Sequence, residues 1–207
     1  MRYQRPAAVL IWCLTTGVLF GEGLGIRLQA DRIRSVSGSR DESTAMADYV
    51  DPGMSGGFAV THRISPGFGI EAGVELGWMT VSKDMKPDPS KDPAFVLPRV
   101  KVSNLVYFSA GRVSPYLRLG FHVTGWRFTE DGPDGKVAEF EGEKIQKMSF
   151  GLHGGLGVEM KLLDRLSLFG EAGISVLFCR DTFFFGKGFT EQGILALGGG
   201  IVFYPFH

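Results

Sequence analysis

A chain of 207 residues holds one domain with a sizeable core, or one small barrel, and little else. Lysine plus arginine and aspartate plus glutamate are 22 each, so the formal net charge is zero. That balance lacks the basic excess of a nucleic-acid-binding surface, and no nucleic acid is expected as a partner. The 30 glycines beside 17 phenylalanines suit a twisted all-β chain with close backbone approaches and aromatic bands.

The first 23 residues read as a targeting segment. Met1 to Arg5 carries two arginines, Pro6 to Phe20 is uncharged and apolar, and Gly21, Gly23 and Gly25 offer small residues at positions a signal peptidase reads. About 15 apolar residues fall short of the roughly 20 that a membrane-spanning helix needs. Cys13 lies inside this segment, and bulky Trp12 before it does not fit a lipoprotein site. Cleavage leaves Cys179 as the only cysteine, so the mature domain, residues 24–207, folds without an internal disulfide.

Eight segments of period-two alternation follow, at 24–31, 56–64, 68–81, 100–109, 115–128, 147–161, 166–178 and 191–204. Their lengths suit strands tilted across an apolar band of membrane thickness. The connectors 32–55, 82–99, 129–146 and 179–190 are long and polar, whereas those around Pro66, Gly111 and Asp164 are tight. Long and tight connectors thus alternate. The layout predicts an all-β, eight-stranded, antiparallel up-and-down transmembrane β-barrel, in which the last strand pairs with the first and both sheet edges vanish.

Alternation assigns the faces. Ile70, Ala72, Val74, Leu76 and Trp78 oppose Glu71, Gly73, Glu75 and Gly77, and Leu152, Leu156 and Val158 oppose His153, Gly155 and Gly157. A soluble barrel shows the same period with its apolar face inward. The glycine-rich polar face, the export signal and aromatics near the strand ends favour lipid outside. Trp78, Trp126, Phe128 and Phe178 are expected in a girdle near the long loops, with Phe108, Tyr116, Phe203, Tyr204 and Phe206 in a second girdle near the tight turns.

The runs Phe68-Gly-Ile-Glu-Ala-Gly-Val-Glu-Leu-Gly-Trp78, Tyr116-Leu-Arg-Leu-Gly-Phe121 and Leu168-Phe-Gly-Glu-Ala-Gly-Ile174 resemble strands of the small outer-membrane barrel superfamily. That group includes the transmembrane domain of outer membrane protein A and outer membrane proteins X and W. The resemblance covers the whole mature chain and implies an outer-membrane location, contact with outer-membrane lipid, and insertion by the outer-membrane assembly machinery. Family chains usually end on an aromatic residue, whereas this one ends Phe203-Tyr-Pro-Phe-His207, with Phe206 penultimate.

The inner face is expected to carry Arg27, Arg63, Glu71, Glu75, Lys101, Arg118, Glu159, Lys161, Glu171 and Glu191, with His122 and His153. Isolated charges are costly in a narrow barrel, so they should pair. Arg27, Glu71, Arg118 and Glu171 are the predicted lumen charge cluster, with Arg118 reaching Glu71 or Glu171 and Arg27 the second candidate. His62, His122 and His153 lack metal-ligand spacing, so no metal and no cofactor are expected. Gly198-Gly199-Gly200 lacks the lysine and following helix of a phosphate loop. The nearest Ser/Thr–His approaches to a lipid A-modifying enzyme, His122-Val-Thr124 and His62-Arg-Ile-Ser65, have no flanking motif, and the chain is expected not to be an enzyme. The expected role is structural or surface-exposed interaction, with loops that bind host or environmental partners. The alternative, implied by the likeness to outer membrane protein W, is a narrow path for small hydrophobic solutes. An eight-stranded barrel is too narrow for a general porin. The loop from 179 to 190 carries an apolar tip, Phe183-Phe184-Phe185, expected to pack over the barrel mouth.

The mature product is expected to lack roughly its first 20–25 residues. N-terminal sequencing of protein recovered from membranes checks this; an intact Met1 would overturn the signal reading.

Overall fold

The computed structural model describes residues 23–179 and 189–205. Residues 1–22 of the expected targeting segment, the Phe183–Phe185 tip and the last two residues lie outside the described residues. Eight long strands close into one antiparallel barrel: β1 (Leu24–Ser37), β2 (Gly53–Ser65), β3 (Phe68–Thr80), β4 (Ala94–Tyr107), β5 (Val113–Thr129), β8 (Gln146–Leu163), β9 (Leu166–Phe178) and β10 (Gln192–Phe203). Between β5 and β8 a small hairpin, β6 (Glu139–Phe140) with β7 (Glu143–Lys144), rises from the loop. A four-residue helix α1 (Met46–Tyr49) and a 3-10 turn (Lys83–Met85) sit in the first two long loops. Each strand pairs with its sequence neighbour in the barrel, and β10 closes on β1 from Ile26↔Phe203 to Ser37↔Gly193. No backbone edge is left open, which is the condition for a sheet to stand in an apolar solvent.

The faces divide as the alternation requires. Leu28, Phe58, Val74, Leu76, Val100, Leu119, Leu152, Leu156, Ile174 and Leu197 are exposed on the outside. Arg27, Glu71, Lys101, Arg118, His122 and Glu159 are buried inside. Apolar atoms out and charges in is the inverse of a soluble protein.

Two strands run further than the sequence pattern indicates. β1 continues through Ser37, so Arg32 and Arg34 are strand residues on the outer face, not loop residues; their inward neighbours Ile33 and Ser35 are buried. β4 begins at Ala94, with Phe95, Val96 and Leu97 wholly buried. Pro98 interrupts the polar-apolar pattern there and has no N–H to donate. The pairing of β4 with β5 accordingly skips Leu97 and Pro98 between Val96↔Arg127 and Arg99↔Thr124, while the β3 side keeps Leu76↔Pro98.

The loop end of the barrel is sealed by an apolar core. Met46 and Val50 come from the first long loop. They pack with Ile33, Met79, Phe95, Leu97, Trp126, Phe128, Leu177, Cys179, Phe189 and Ile194. Phe95 stacks on Phe128 at 4.8 Å between ring centroids, and Trp126 meets Phe189 at 5.2 Å. In the same first loop the Asp41 carboxylate accepts hydrogen bonds from the Ser43 N–H and hydroxyl, the Thr44 N–H and the Arg40 guanidinium. Those donors, the Ser43 N–H foremost, hold its pKa below the usual carboxylate range.

These faces generate a direct test. In lipid bilayers Leu156→Arg should lower the unfolding free energy by about 2–4 kcal/mol. Spin labels should find oxygen more accessible at position 152 than at 153; the reverse order would mean that the faces are inverted.

Candidate functional site

The interior is built in polar layers, the central ones closed by ion pairs and the others by hydrogen bonds to hydroxyl groups. Arg27, Glu71, Arg118 and Glu171 are contributed by β1, β3, β5 and β9. These are every second strand around the barrel, all running toward the loop end. Arg27 and Arg118 therefore start from opposite walls, and so do Glu71 and Glu171. Arg118 Nη1 lies 2.9 Å from Glu71 Oε1 and its Nη2 3.1 Å from Glu171 Oε2. Arg27 Nη2 lies 3.0 Å from Glu171 Oε2 and its Nε 3.6 Å from Glu71 Oε2. The predicted cluster is thus one alternating ring of two cations and two anions that spans the lumen. The Glu71 side chain has no exposed surface, while Glu171 keeps 17%.

Tyr116 completes this layer. Its hydroxyl accepts from Arg27 Nη2 at 2.6 Å and donates to Glu171 Oε2 at 2.7 Å. Arg27 also places its guanidinium carbon 3.3 Å from the Phe169 ring centroid. The large groups fit because small ones oppose them. Arg118 pairs across the sheet with Gly155 and Tyr116 with Gly157. Glu171 stands between Gly157 and Gly198. A Cβ on Gly157 would overlap the Tyr116 ring.

Toward the loops, Glu75 receives Lys101 Nζ at 3.0 Å and Arg99 Nη1 at 3.5 Å. Lys101 also donates to Gln29 Oε1 at 2.9 Å, and Gln29 Nε2 donates to Asp31 at 2.7 Å. Beside them His122 and His153 lie 5.9 Å apart, each ring resting over a glycine of the neighbouring strand. His153 Nε2 is 2.8 Å from Ser103 Oγ and His122 Nδ1 is 2.8 Å from Thr124 Oγ1. Toward the turns, Tyr107 and Tyr204 donate to Glu159 at 3.3 and 2.9 Å, and Arg63 lies 3.8 Å from the Tyr107 ring centroid. Lys161 sits at the turn-end rim, 3.7 Å from Asp164. Glu191 immediately precedes β10 at the loop end.

What space remains is small or open to one side. The cavity between Gln29, Asp31, Glu75, Arg99, Lys101 and His153 holds about 50 Å³. At the turn end a vestibule of about 460 Å³ opens beside Arg63, Arg112, Glu159, Lys161 and Tyr204. At the loop end a depression of about 230 Å³ is lined by Arg40, Tyr49, Pro87, Lys91, Phe128 and Ile145. Among the described residues no three of His, Cys, Asp and Glu are placed to hold a metal ion.

The aromatic girdle needs correction. Trp78 faces outward and is half-buried, and Phe178 and Phe203 are exposed on the outside. Tyr116, Trp126 and Phe128 do not belong to a girdle: all three are buried on the inward face of β5, in phase with Arg118 and His122. Burial inside gives Tyr116 its charged partners and lets the Trp126 indole N–H donate to Ser149 at 3.0 Å. The outer aromatic row is instead Phe121, Phe150 and Phe178 on β5, β8 and β9, with ring centroids 6.1 and 6.4 Å apart. Sequence reading also missed Gln29, Asp31 and Arg99 as inner polar groups. Arg99 fell in a stretch read as loop, and only the true start of β4 puts it in phase with Lys101.

Arg118→Ala leaves Glu71 and Glu171 sharing one guanidinium, and should cost about 3–5 kcal/mol in urea unfolding. Adding Glu71→Gln to Arg118→Ala should recover part of that loss. A single variant as stable as the parent would show that the ring is wet and weakly coupled.

No protein-family model matches the chain, and no curated protein matches it in sequence. Solved structures do match in shape. Surface protein A of Neisseria superposes with a TM-score of 0.59 at 16% identity, over 88% of this chain and 97% of that one. The outer membrane protein OprG of Pseudomonas aeruginosa gives 0.52 at 15% identity, over 88% and 95%. The chain shares the closed eight-stranded fold of the small outer-membrane β-barrels.

Proposed function

We propose that the chain is an integral outer-membrane barrel whose lumen is plugged and whose role is structural or surface-directed interaction through its loop end. The inverted polarity carries this reading: an outer belt of exposed Leu, Val, Ile and Phe surrounds charge layers that are balanced within themselves. A belt of that kind is stable in hydrocarbon and aggregation-prone in water. The fold shared with outer-membrane barrels supports the same location, which the N-terminal sequence also fits.

Two barriers in series support a closed lumen. The salt-bridged ring fills the middle, and the apolar core with Trp126, Phe128 and Phe95 seals the loop end. The first long loop packs onto that core through Met46, Tyr49 and Val50 and the third through Ala138 and Ile145, giving these loops a preorganised surface. Such a surface suits recognition of host or environmental molecules.

In planar bilayers the purified protein should show no discrete openings. Arg118→Ala alone should stay closed as well, because the apolar seal remains. Steady single-channel current through the parent would sink the plugged reading and favour a narrow solute path.

A further inference from the structure

The outward-alternating positions of the eight barrel strands carry very few charges. They are Arg32 and Arg34 on β1 and Arg127 on β5, all near the loop end, with no carboxylate among them. β1 and β5 stand on opposite walls of the barrel. Arg32 and Arg34 are both exposed and, among the described residues, neither has an ion-pair partner. Their inward neighbours Asp31, Ile33 and Ser35 are buried, so the arginine side chains leave the barrel wall on its outer face.

The surroundings of this pair are apolar. Arg32 lies across from Met54 on β2 and Leu197 on β10, and Arg34 across from Leu195. Leu28 and Ala30 precede them on the same face of β1, and Val36 follows. Leu28, Val36, Met54, Leu195 and Leu197 are all exposed large apolar groups. A guanidinium standing in such a belt calls for an anion, and the described residues do not supply one. Two residues apart on one strand, the pair is spaced by about 7 Å. Each guanidinium presents a planar fork that takes two phosphate oxygens, and it gives up its hydration more easily than an ammonium.

We propose that Arg32 and Arg34 form a binding site for the phosphate groups of an anionic lipid in the leaflet at the loop end. The proposal rests on the membrane reading above. The occupant is a lipid because the site is rimmed by exposed apolar side chains that would meet acyl chains, whereas a soluble phosphate would gain nothing from them. The absence of any outward carboxylate removes repulsion of the same headgroups from the rest of the belt.

The test uses the purified full chain in detergent, titrated with phosphatidic acid or phosphatidylcholine and followed by native mass spectrometry. The parent should retain phosphatidic acid preferentially, and Arg32→Gln with Arg34→Gln should weaken that binding about tenfold to thirtyfold. Arg112→Gln, at the opposite rim, should leave it unchanged. Gel mobility before and after heating verifies that the double variant is folded. Equal retention by folded parent and double variant, or equal loss with Arg112→Gln, overturns the site. Displacement by inorganic phosphate at matched concentration overturns the lipid as its source. A parent that stays monodisperse in water without detergent removes the membrane reading itself, an outcome distinct from the other two.

Discussion

Eight strands close on a lumen only wide enough for side chains, and this chain fills it with charge. The ring of Arg27, Glu171, Arg118 and Glu71 is the contact on which the rest depends, because each member is tolerable only while the others are in place. Its geometry sets the composition of the wall. The charged members ride on strands running toward the loops, and the strands between them supply Gly155, Gly157, Gly198, Ala59 and Ser103 at the facing positions. Each charged member thus has a small residue on at least one neighbouring strand. The inward glycines are therefore a packing requirement of the interior: the Tyr116 ring and the His122 and His153 rings lie where a Cβ on Gly157, Gly151 and Gly120 would stand.

A charged interior is not an obvious source of stability. Ion pairs of this kind roughly break even against well-packed apolar groups of the same volume. Their contribution here is to orientation. Side chains alternate with a period of two, so a slip of one residue in any strand would turn its inner set outward. An apolar interior would make that slip cheap when the outside is also apolar. With Arg118 or Glu71 in the set, the slipped strand presents an unpaired charge to the outer belt. Charge inside and hydrocarbon-like surface outside thus specify which face is which, a role that apolar packing alone could not fill.

The strand faces and the four members of the ring were legible because alternation is local and strict. Glu71 and Glu171 each sit in a Glu-Ala-Gly context between apolar neighbours, and Arg118 falls in phase with them on its own strand. The pairing geometry was not legible in the same way. Which cation meets which carboxylate depends on strand stagger and barrel closure, which no single strand encodes. Strand ends were misread where the pattern carries a second constraint. Arg32 and Arg34 look like loop residues by composition, and Pro98 looks like a break, yet Ile33, Ser35 and Leu97 are buried around them. Trp126, Phe128 and Tyr116 were misplaced for a related reason. An aromatic near a strand end belongs to a girdle or to the interior according to phase and to what the loops do above it. Here the first loop folds back over the mouth with Met46 and Val50.

The two ends of the barrel are consequently unlike. Among the described residues the loop end is filled by an apolar core, while the turn end opens into a vestibule beside Arg63, Glu159 and Lys161. Water can enter from the turn side and meet charge, whereas the described residues at the other end present an apolar core. The central ring therefore works as a brace tying four alternate strands across the axis. A brace of that stiffness fixes the platform on which the loops sit. A partner engaging the loop end would meet a surface already in place, and the energy of that contact would be spent at the surface rather than in rearranging the wall beneath it.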